Sequence, residues 1–422
     1  MRGTDLLALL LAALGLALGV EAWLAGSLFR YVLAGIAVGA VLCVPLLSIL
    51  LLRDRARRFW RLTSFALVPV ALLLLCAEIG IRFAGPVYAA PARIVSDEDL
   101  GHAVLPGTGE TDAWGFRNER VPERADALFV GDSQTWGFFL EREQSFPAQF
   151  GELTGLSTYQ MANGGYGPVR YRELVRRGLA LQPKLVVVGF YFGNDLWDAC
   201  SGAGLPNAED LRDPKRSYGP PRPPEAAEEH APNWVMGGLD WLQQSSRLVG
   251  LAGETVKARL RGTASVLDAQ PGAIAVTEGN VGTLLLPKYR EPALDLRNKT
   301  LADALRVSEQ CLQDIGSDCA KAGCKAVLLA IPTKEYCYAE WLKAHGRAMP
   351  ELEELRSRET AVRARVFAAA KAGGLELVDL APICIAALQA DTPIWAGNGD
   401  GHLNANGHRA AAQAIAGIWP GK

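Results

Sequence analysis

Between Tyr31 and Leu52 the chain runs for 22 residues without a charge. A helix needs about 20 mostly apolar residues to cross a bilayer, where no water can satisfy an open backbone. Two more stretches come close to this. Leu6 to Gly26 is interrupted only by Glu21, and Leu62 to Ile81 only by Glu78. Between the second and third stretches lies RDRARRFWR, residues 53–61, with five Arg and one Asp. Short Arg-rich loops stay on the cytoplasmic side. The second helix is therefore expected to run inward and the third outward, which exports everything after Arg82. Residues 1–85 read as a membrane anchor of three transmembrane helices in the cell membrane, with the rest of the chain on the periplasmic or extracellular side. Leu6 to Val20 would also serve as the apolar centre of a cleaved signal peptide, although MRGTD ahead of it is barely basic. The orientation of the rest does not depend on that choice. Glu21 and Glu78 sit near the expected outer ends, where headgroups and water solvate a carboxylate.

The charges divide the same way. The whole chain has 43 basic and 45 acidic residues, but residues 86–422 hold 35 and 41 of them. A mildly acidic domain lacks the concentrated Lys and Arg that phosphate neutralisation needs, so nucleic acid is not an expected partner. Half of the residues are apolar, which excludes a disordered polyelectrolyte. Of eight cysteines, Cys43 and Cys76 fall in the apolar stretches and read as small apolar fillers. Cys200, Cys311, Cys319, Cys324, Cys337 and Cys384 remain. An even number in an oxidising compartment suggests up to three disulfides, of unspecified pairing. No C-x-x-C spacing supports a zinc or thioredoxin-type site.

Residues 86–125, rich in Pro, Gly and charge, read as a linker or lead-in to a domain over 126–422. Strand and helix patterns then alternate. Strands are expected at Ala127–Val130, Tyr159–Ala162, Lys184–Phe192, Lys325–Ile331 and Leu375–Leu380. Helices are expected at Phe146–Leu153, Arg170–Leu181, 300–323, 351–372 and Ala405–Ile418. An insertion is expected at about 199–298. Its first part, 199–235, is rich in Pro, Glu and Gly and reads as flexible, and an amphipathic helix spans about Leu239 to Leu260. Short apolar strands separated by longer helices indicate an α/β fold, a three-layer parallel sheet covered on both faces.

In such sheets the chemistry collects at the carboxyl ends of the strands. Four places there carry suggestive residues. Ser133 in Gly131-Asp132-Ser133 follows the first strand, where it could expose its hydroxyl or simply cap a helix. Gly164-Gly165 lets a backbone N–H approach an oxygen with no Cβ in the way, or makes an ordinary turn. Asn194 follows the longest strand, with an amide that could donate to an oxyanion or serve a turn. Asp400-Gly401-His402 precedes the last helix. A neutral imidazole there can take a proton from a serine hydroxyl while the carboxylate holds the ring. A rival reading makes Asp400, His402 and His408 metal ligands.

Taken in chain order, these places resemble the blocks of the SGNH/GDSL hydrolase superfamily, over roughly residues 110–420. Ser133 matches the nucleophile block, and Gly165, followed by GYGP-type residues, matches the second. Asn194 matches the third, and Asp400 with His402 the last. The GFRN at 115–118 and the IPTKE at 331–335 fall within the same span. Two departures are visible. Gly193 abuts Asn194, where the family places a residue between them. The acid stands two residues before His402, where the family usually has it three before, at the position of Gly399. The D-x-H spacing is similar to that of a branch that includes periplasmic polysaccharide O-acetyltransferases. The resemblance implies a flavodoxin-like α/β/α domain and acyl transfer through a serine ester. Ser133 would be the nucleophile, His402 the base and Asp400 the acid of the triad. The oxyanion would be held by the N–H groups of Ser133 and Gly165 and the amide of Asn194. No metal or organic cofactor is required by that chemistry.

The expected activity is therefore that of a membrane-tethered ester hydrolase or O-acyltransferase. Its substrate would be an ester-bearing carbohydrate of the envelope or exopolysaccharide, or a small acyl ester. A transferase would need a multi-span membrane partner to deliver the acyl group. Two other classes fit the sequence: a lipase or thioesterase acting on membrane lipids, and a non-catalytic glycan-binding protein on the same fold.

Overall fold

The computed structural model describes residues 93–216 and 272–419. The chain divides into two units, Met1–Pro86 and Val87–Lys422, and the described residues all belong to the second. The three apolar stretches and the expected helix at 239–260 lie outside the described residues. Among the described residues no helix is long and apolar enough to cross a membrane.

An antiparallel hairpin, β1 (Ile94–Asp97) and β2 (Gly101–Val104), comes first. Then follow β3 (Ala127–Gly131), α1 (Ser133–Trp136), α2 (Phe146–Thr154), β4 (Thr158–Ala162), α3 (Pro168–Gly178), β5 (Leu185–Tyr191) and α4 (Asp195–Gly202). A second hairpin, β6 (Ile274–Val276) and β7 (Thr283–Leu285), leads to the short α5 (Pro287–Arg290). The last part comprises α6 (Lys299–Ala322), β8 (Lys325–Ile331), α7 (Lys334–Ala344), α8 (Pro350–Ala372), β9 (Glu376–Asp379), α9 (Ala381–Gln389) and α10 (Ala405–Gly417).

The central sheet is parallel throughout, in the order β4-β3-β5-β8-β9. Its first strand in sequence, β3, lies between the second and third, β4 and β5, so the chain reverses direction across the sheet beside β3. In doubly wound folds of this order, that reversal opens a crevice at the carboxyl ends of the first and third strands. Every residue of β3 and β5 is buried, which is why these segments read as unbroken apolar runs. Their side chains alternate between two cores. Val186, Val188 and Phe190 pack with Leu174 of α3, Leu312 and Ile315 of α6, and Val362 of α8. Leu185, Val187 and Tyr191 pack with Phe146 and Phe150 of α2, Trp341 of α7 and Ile415 of α10.

Side-chain caps fix several helix starts. Asn298 accepts from Thr300 N–H, Thr333 from Tyr336 N–H, and Asn404 from the N–H groups of Asn406 and Gly407. The parallel α/β fold expected from the sequence is thus present, with strand boundaries displaced by a residue or two.

Several expectations need correction. Residues 93–125 are no linker. They carry β1 and β2 and bury Leu100, Val104, Phe116 and Arg117. The start of the expected flexible insertion is packed as well. Leu205, Ala208 and Leu211 lie against Val307 and Cys311 of α6. Its end is also built into the fold, with Leu285, Leu286 and Leu294 buried. Five of the described helices lie outside the expected set: α1, α4 and α5 are short, and neither α7 nor α9 has a clean apolar stripe. The apolar residues of α7 (Cys337, Tyr338, Trp341 and Leu342) are mixed with buried Lys334 and Glu335. Finally, the six cysteines expected to pair are all free thiols. Five of them are buried as small core residues, and burial pushes the Cys311 thiol up to about 12.

Candidate active site

The turn after β3 sets the geometry. Asp132 caps α1, its Oδ1 accepting from Gln134 N–H at 2.9 Å, and Gly137 closes that helix in the left-handed region with φ 78°. The cap is therefore Asp132 and not Ser133, which leaves the serine hydroxyl for another partner. That partner is His402, with Ser133 Oγ 2.8 Å from His402 Nε2 across 269 residues of sequence. His402 Nδ1 lies 2.7 Å from Asp400 Oδ1. An ionised carboxylate only accepts, so Nδ1 carries the proton and Nε2 offers its lone pair to the serine O–H. The same Asp400 oxygen also accepts from the His402 backbone N–H at 2.7 Å. This short Asx-type turn lets an acid only two residues away reach its own histidine ring. Burial pushes Asp400 up, but the hydrogen bonds from His402 and the charges of His402 and Lys334 outweigh it, so its pKa lies below the usual carboxylate value.

Two side chains lock the histidine loop: Gln134, next to Ser133, and Lys334 of the IPTKE segment, neither of which the sequence reading gives a role. Gln134 Nε2 donates to Gly401 O at 3.0 Å, and its Oε1 accepts from Leu403 N–H at 3.1 Å. Lys334, at the start of α7, is fully buried. Its ammonium donates to Asn398 O at 2.7 Å and Asp400 O at 2.8 Å. Gly401 is needed for a close approach: a Cβ there would lie 2.5 Å from Arg290 Nη2 and 2.7 Å from Tyr191 Oη. On the serine side, Arg117 of the GFRN segment donates to the carbonyls of Trp136, Gly137 and Leu140 at 3.1, 3.0 and 2.7 Å. Its Nε also donates to Glu110 at 2.7 Å.

Gly165 and Asn194 lie on loops at the same edge of the sheet. Gly165 has φ 73°. Gly164 N–H is bonded to Asn163 Oδ1 and Tyr166 N–H to Asn163 O. His102 of β2 holds this loop through Gly164 O at 2.9 Å, and Tyr166 Oη donates back to His102 O at 2.9 Å. Asn194 precedes α4, and its Oδ1 is buried without a hydrogen-bond partner. The next residue, Asp195, is a buried anchor: it accepts from Tyr191 N–H at 3.1 Å and is hydrogen-bonded to Tyr171 Oη at 2.9 Å. Burial raises the pKa values of three neighbouring carboxyls. Asp132 is pushed up to about 6, against the pull of Gln134 N–H, His402 and Asn194. Asp198 is pushed up to about 7 and Asp195 well above the ordinary value, each further raised by the charge of Asp132.

The metal reading fails on His408. Its Nδ1 accepts from Phe146 N–H at 3.0 Å, and its ring stacks on Phe146 with centroids 5.5 Å apart. Burial depresses its pKa to about 3, so it is a neutral core group. The mouth of the site is aromatic. Phe138 stacks on the His402 ring at 5.6 Å, and Phe139 meets it edge-on at 5.5 Å.

No protein-family model and no curated protein matches this chain. Solved structures give remote likenesses. A protein of the G-D-S-L family from Desulfitobacterium hafniense DCB-2 has a TM-score of 0.35 at 9% identity, covering 69% of this chain and 98% of that one. TesA has a TM-score of 0.32 at 12% identity, with 68% and 94% covered. The acetyl xylan esterase AlAXEase has a TM-score of 0.33 at 14% identity, with 69% and 99% covered.

Proposed function

We propose that this chain is a serine-dependent ester hydrolase or O-acyltransferase of the SGNH/GDSL kind, acting on carbohydrate esters of the cell envelope or exopolysaccharide. The observation that carries the reading is the relay from Ser133 Oγ to His402 Nε2 at 2.8 Å and from His402 Nδ1 to Asp400 at 2.7 Å. It is built with a complete set of hydrogen bonds, which speaks against a fold used only for binding.

His402 Nε2 takes the Ser133 proton as Oγ attacks the ester carbonyl, and Asp400 stabilises the imidazolium that forms. The carbonyl oxygen becomes an oxyanion, received by the N–H groups of Ser133 and Gly165 and the amide of Asn194. When the intermediate collapses, the C–O bond to the alcohol breaks and His402 returns its proton to the departing oxygen. Water or a second sugar hydroxyl then attacks the acyl-serine, with His402 again acting as base. Water gives hydrolysis and the sugar gives transfer.

The long apolar stretches in residues 1–85 support a membrane tether, with the domain on the periplasmic or extracellular side. In a transferase of this design, a multi-span membrane partner delivers the acyl group. The test is to label the full chain with an active-site serine phosphonate and to map the adduct. Modification of Ser133, absent in Ser133→Ala, supports the reading. Modification elsewhere, or none, removes its basis.

A further inference from the structure

Phe139 is the most exposed of the large apolar side chains described, at 65%, and it also has a positive φ of 67°. Each fact is unusual alone. A bulky residue in the left-handed region is a genuine outlier, and such strain persists where the surroundings impose it, often at ligand clamps. An aromatic ring left in water gains nothing from burial. Yet this ring is held in one place, edge-on to His402 at 5.5 Å and to Phe138 at 6.1 Å. Phe138 is itself fixed, stacked on His402 and set edge-on to Trp136 at 6.2 Å.

The position of the ring says which half of an ester it meets. The imidazole returns a proton to the departing alcohol, so the alcohol oxygen must lie beside His402 Nε2, whereas the acyl oxygen faces the donors across the site. A ring packed against the imidazole therefore borders the alcohol half. Building on the function proposed above, we propose that Phe139 is a stacking platform for a sugar ring that carries the ester, so that the enzyme selects esters of cyclic, ring-stacking alcohols by their alcohol half. The apolar C–H face of a pyranose is the chemistry that such a ring accepts. The strain at Phe139 is then tied to substrate recognition.

The test uses the full-length protein and compares two acetates, one of a methyl pyranoside and one of 2-methoxyethanol, by kcat/KM. The wild type is expected to favour the pyranoside ester, chiefly through KM. Phe139→Ala is expected to reduce that preference about 3- to 10-fold, Phe139→Leu to do nearly the same, and Phe139→Trp to keep it. Phe139→Gly is expected to lose the preference while raising Tm by about 2 °C through relief of the strained φ. A preference unchanged in Phe139→Ala overturns the proposal. So does a change confined to acyl-chain preference, measured on acetyl and octanoyl esters of the same alcohol. Absence of turnover by the wild type would count against the parent reading alone. For that case, binding of the ester-free methyl pyranoside is compared between Ser133→Ala and Ser133→Ala/Phe139→Ala. Weaker binding by the double variant supports the platform, and equal binding refutes it.

Discussion

Gln134 holds His402 by the backbone on both sides, donating to the carbonyl of Gly401 and accepting from the N–H of Leu403. The residue next to the serine thus sets where the histidine stands. Gln134→Ala leaves the triad chemically intact but frees the loop. A displacement of about 1 Å can cost about 100-fold in rate. Steady-state kinetics on an acetyl ester should show kcat lowered by about 10- to 100-fold with KM little changed. An unaltered kcat would mean that the loop is fixed without this clamp.

Asn194 offers its amide at the carboxyl end of β5. If Asn194 is the oxyanion donor proposed above, worth about 2.7–4 kcal/mol in the transition state, Asn194→Ala should lower kcat by about 10²–10³. Acyl-enzyme burst measurements would locate the loss in the chemical step. A loss under threefold would take Asn194 out of the oxyanion site.

Lys334 is buried beneath the histidine loop and donates to two of its carbonyls, those of Asn398 and Asp400. Lys334→Met leaves the oxygen of Asp400 without that donor, at a cost of about 1–3 kcal/mol for a group left unsatisfied in the interior, whereas Asn398 O keeps Thr283 Oγ1 at 3.2 Å. Chemical denaturation should show a drop of that order, together with reduced turnover. Unchanged stability would show that the loop rearranges to bond elsewhere.

His408 gives the fold a sensitivity to acid. Its pKa is depressed to about 3 by burial, against 6.5 for the free side chain. Above pH 6.5 both states are neutral and the group has no effect. As the pH falls below 6.5, only the unfolded chain takes up the proton, so stability is lost progressively down to about pH 3. Between pH 7 and 5 this one group should cost about 2 kcal/mol. Denaturation of His408→Gln should show a pH 7-to-5 decline smaller than wild type by about that amount. Parallel declines would mean that other groups carry the acid response.

The sheet was legible because buried parallel strands leave apolar runs such as Leu185–Tyr191, which need no partner to be recognised. The proposed triad was legible because Ser133 follows the first sheet strand in a G-D-S run and Asp400 and His402 lie in a glycine-containing loop before the last helix. The supports were not. Gln134, Lys334 and Arg117 act through hydrogen bonds to backbone carbonyls, and any polar side chain of suitable length could do the same elsewhere. Lys334 in particular reads as a surface residue until α7 is known to be packed on both sides. The short acid-to-histidine spacing looked irregular because sequence spacing does not reveal the backbone turn that Asp400 makes on His402. The cysteines mislead for a similar reason: their number is even, but five of the six described are buried as small core residues.

Arg117 ties residues before the sheet to the carbonyls that follow Ser133. A fragment cut at residue 126, just ahead of the first motif, would keep Ser133, Asp400 and His402 and lose the strut that keeps the turn after β3 in shape. A piece that keeps this strut must accordingly begin before Arg117 and carry the β1–β2 hairpin with it.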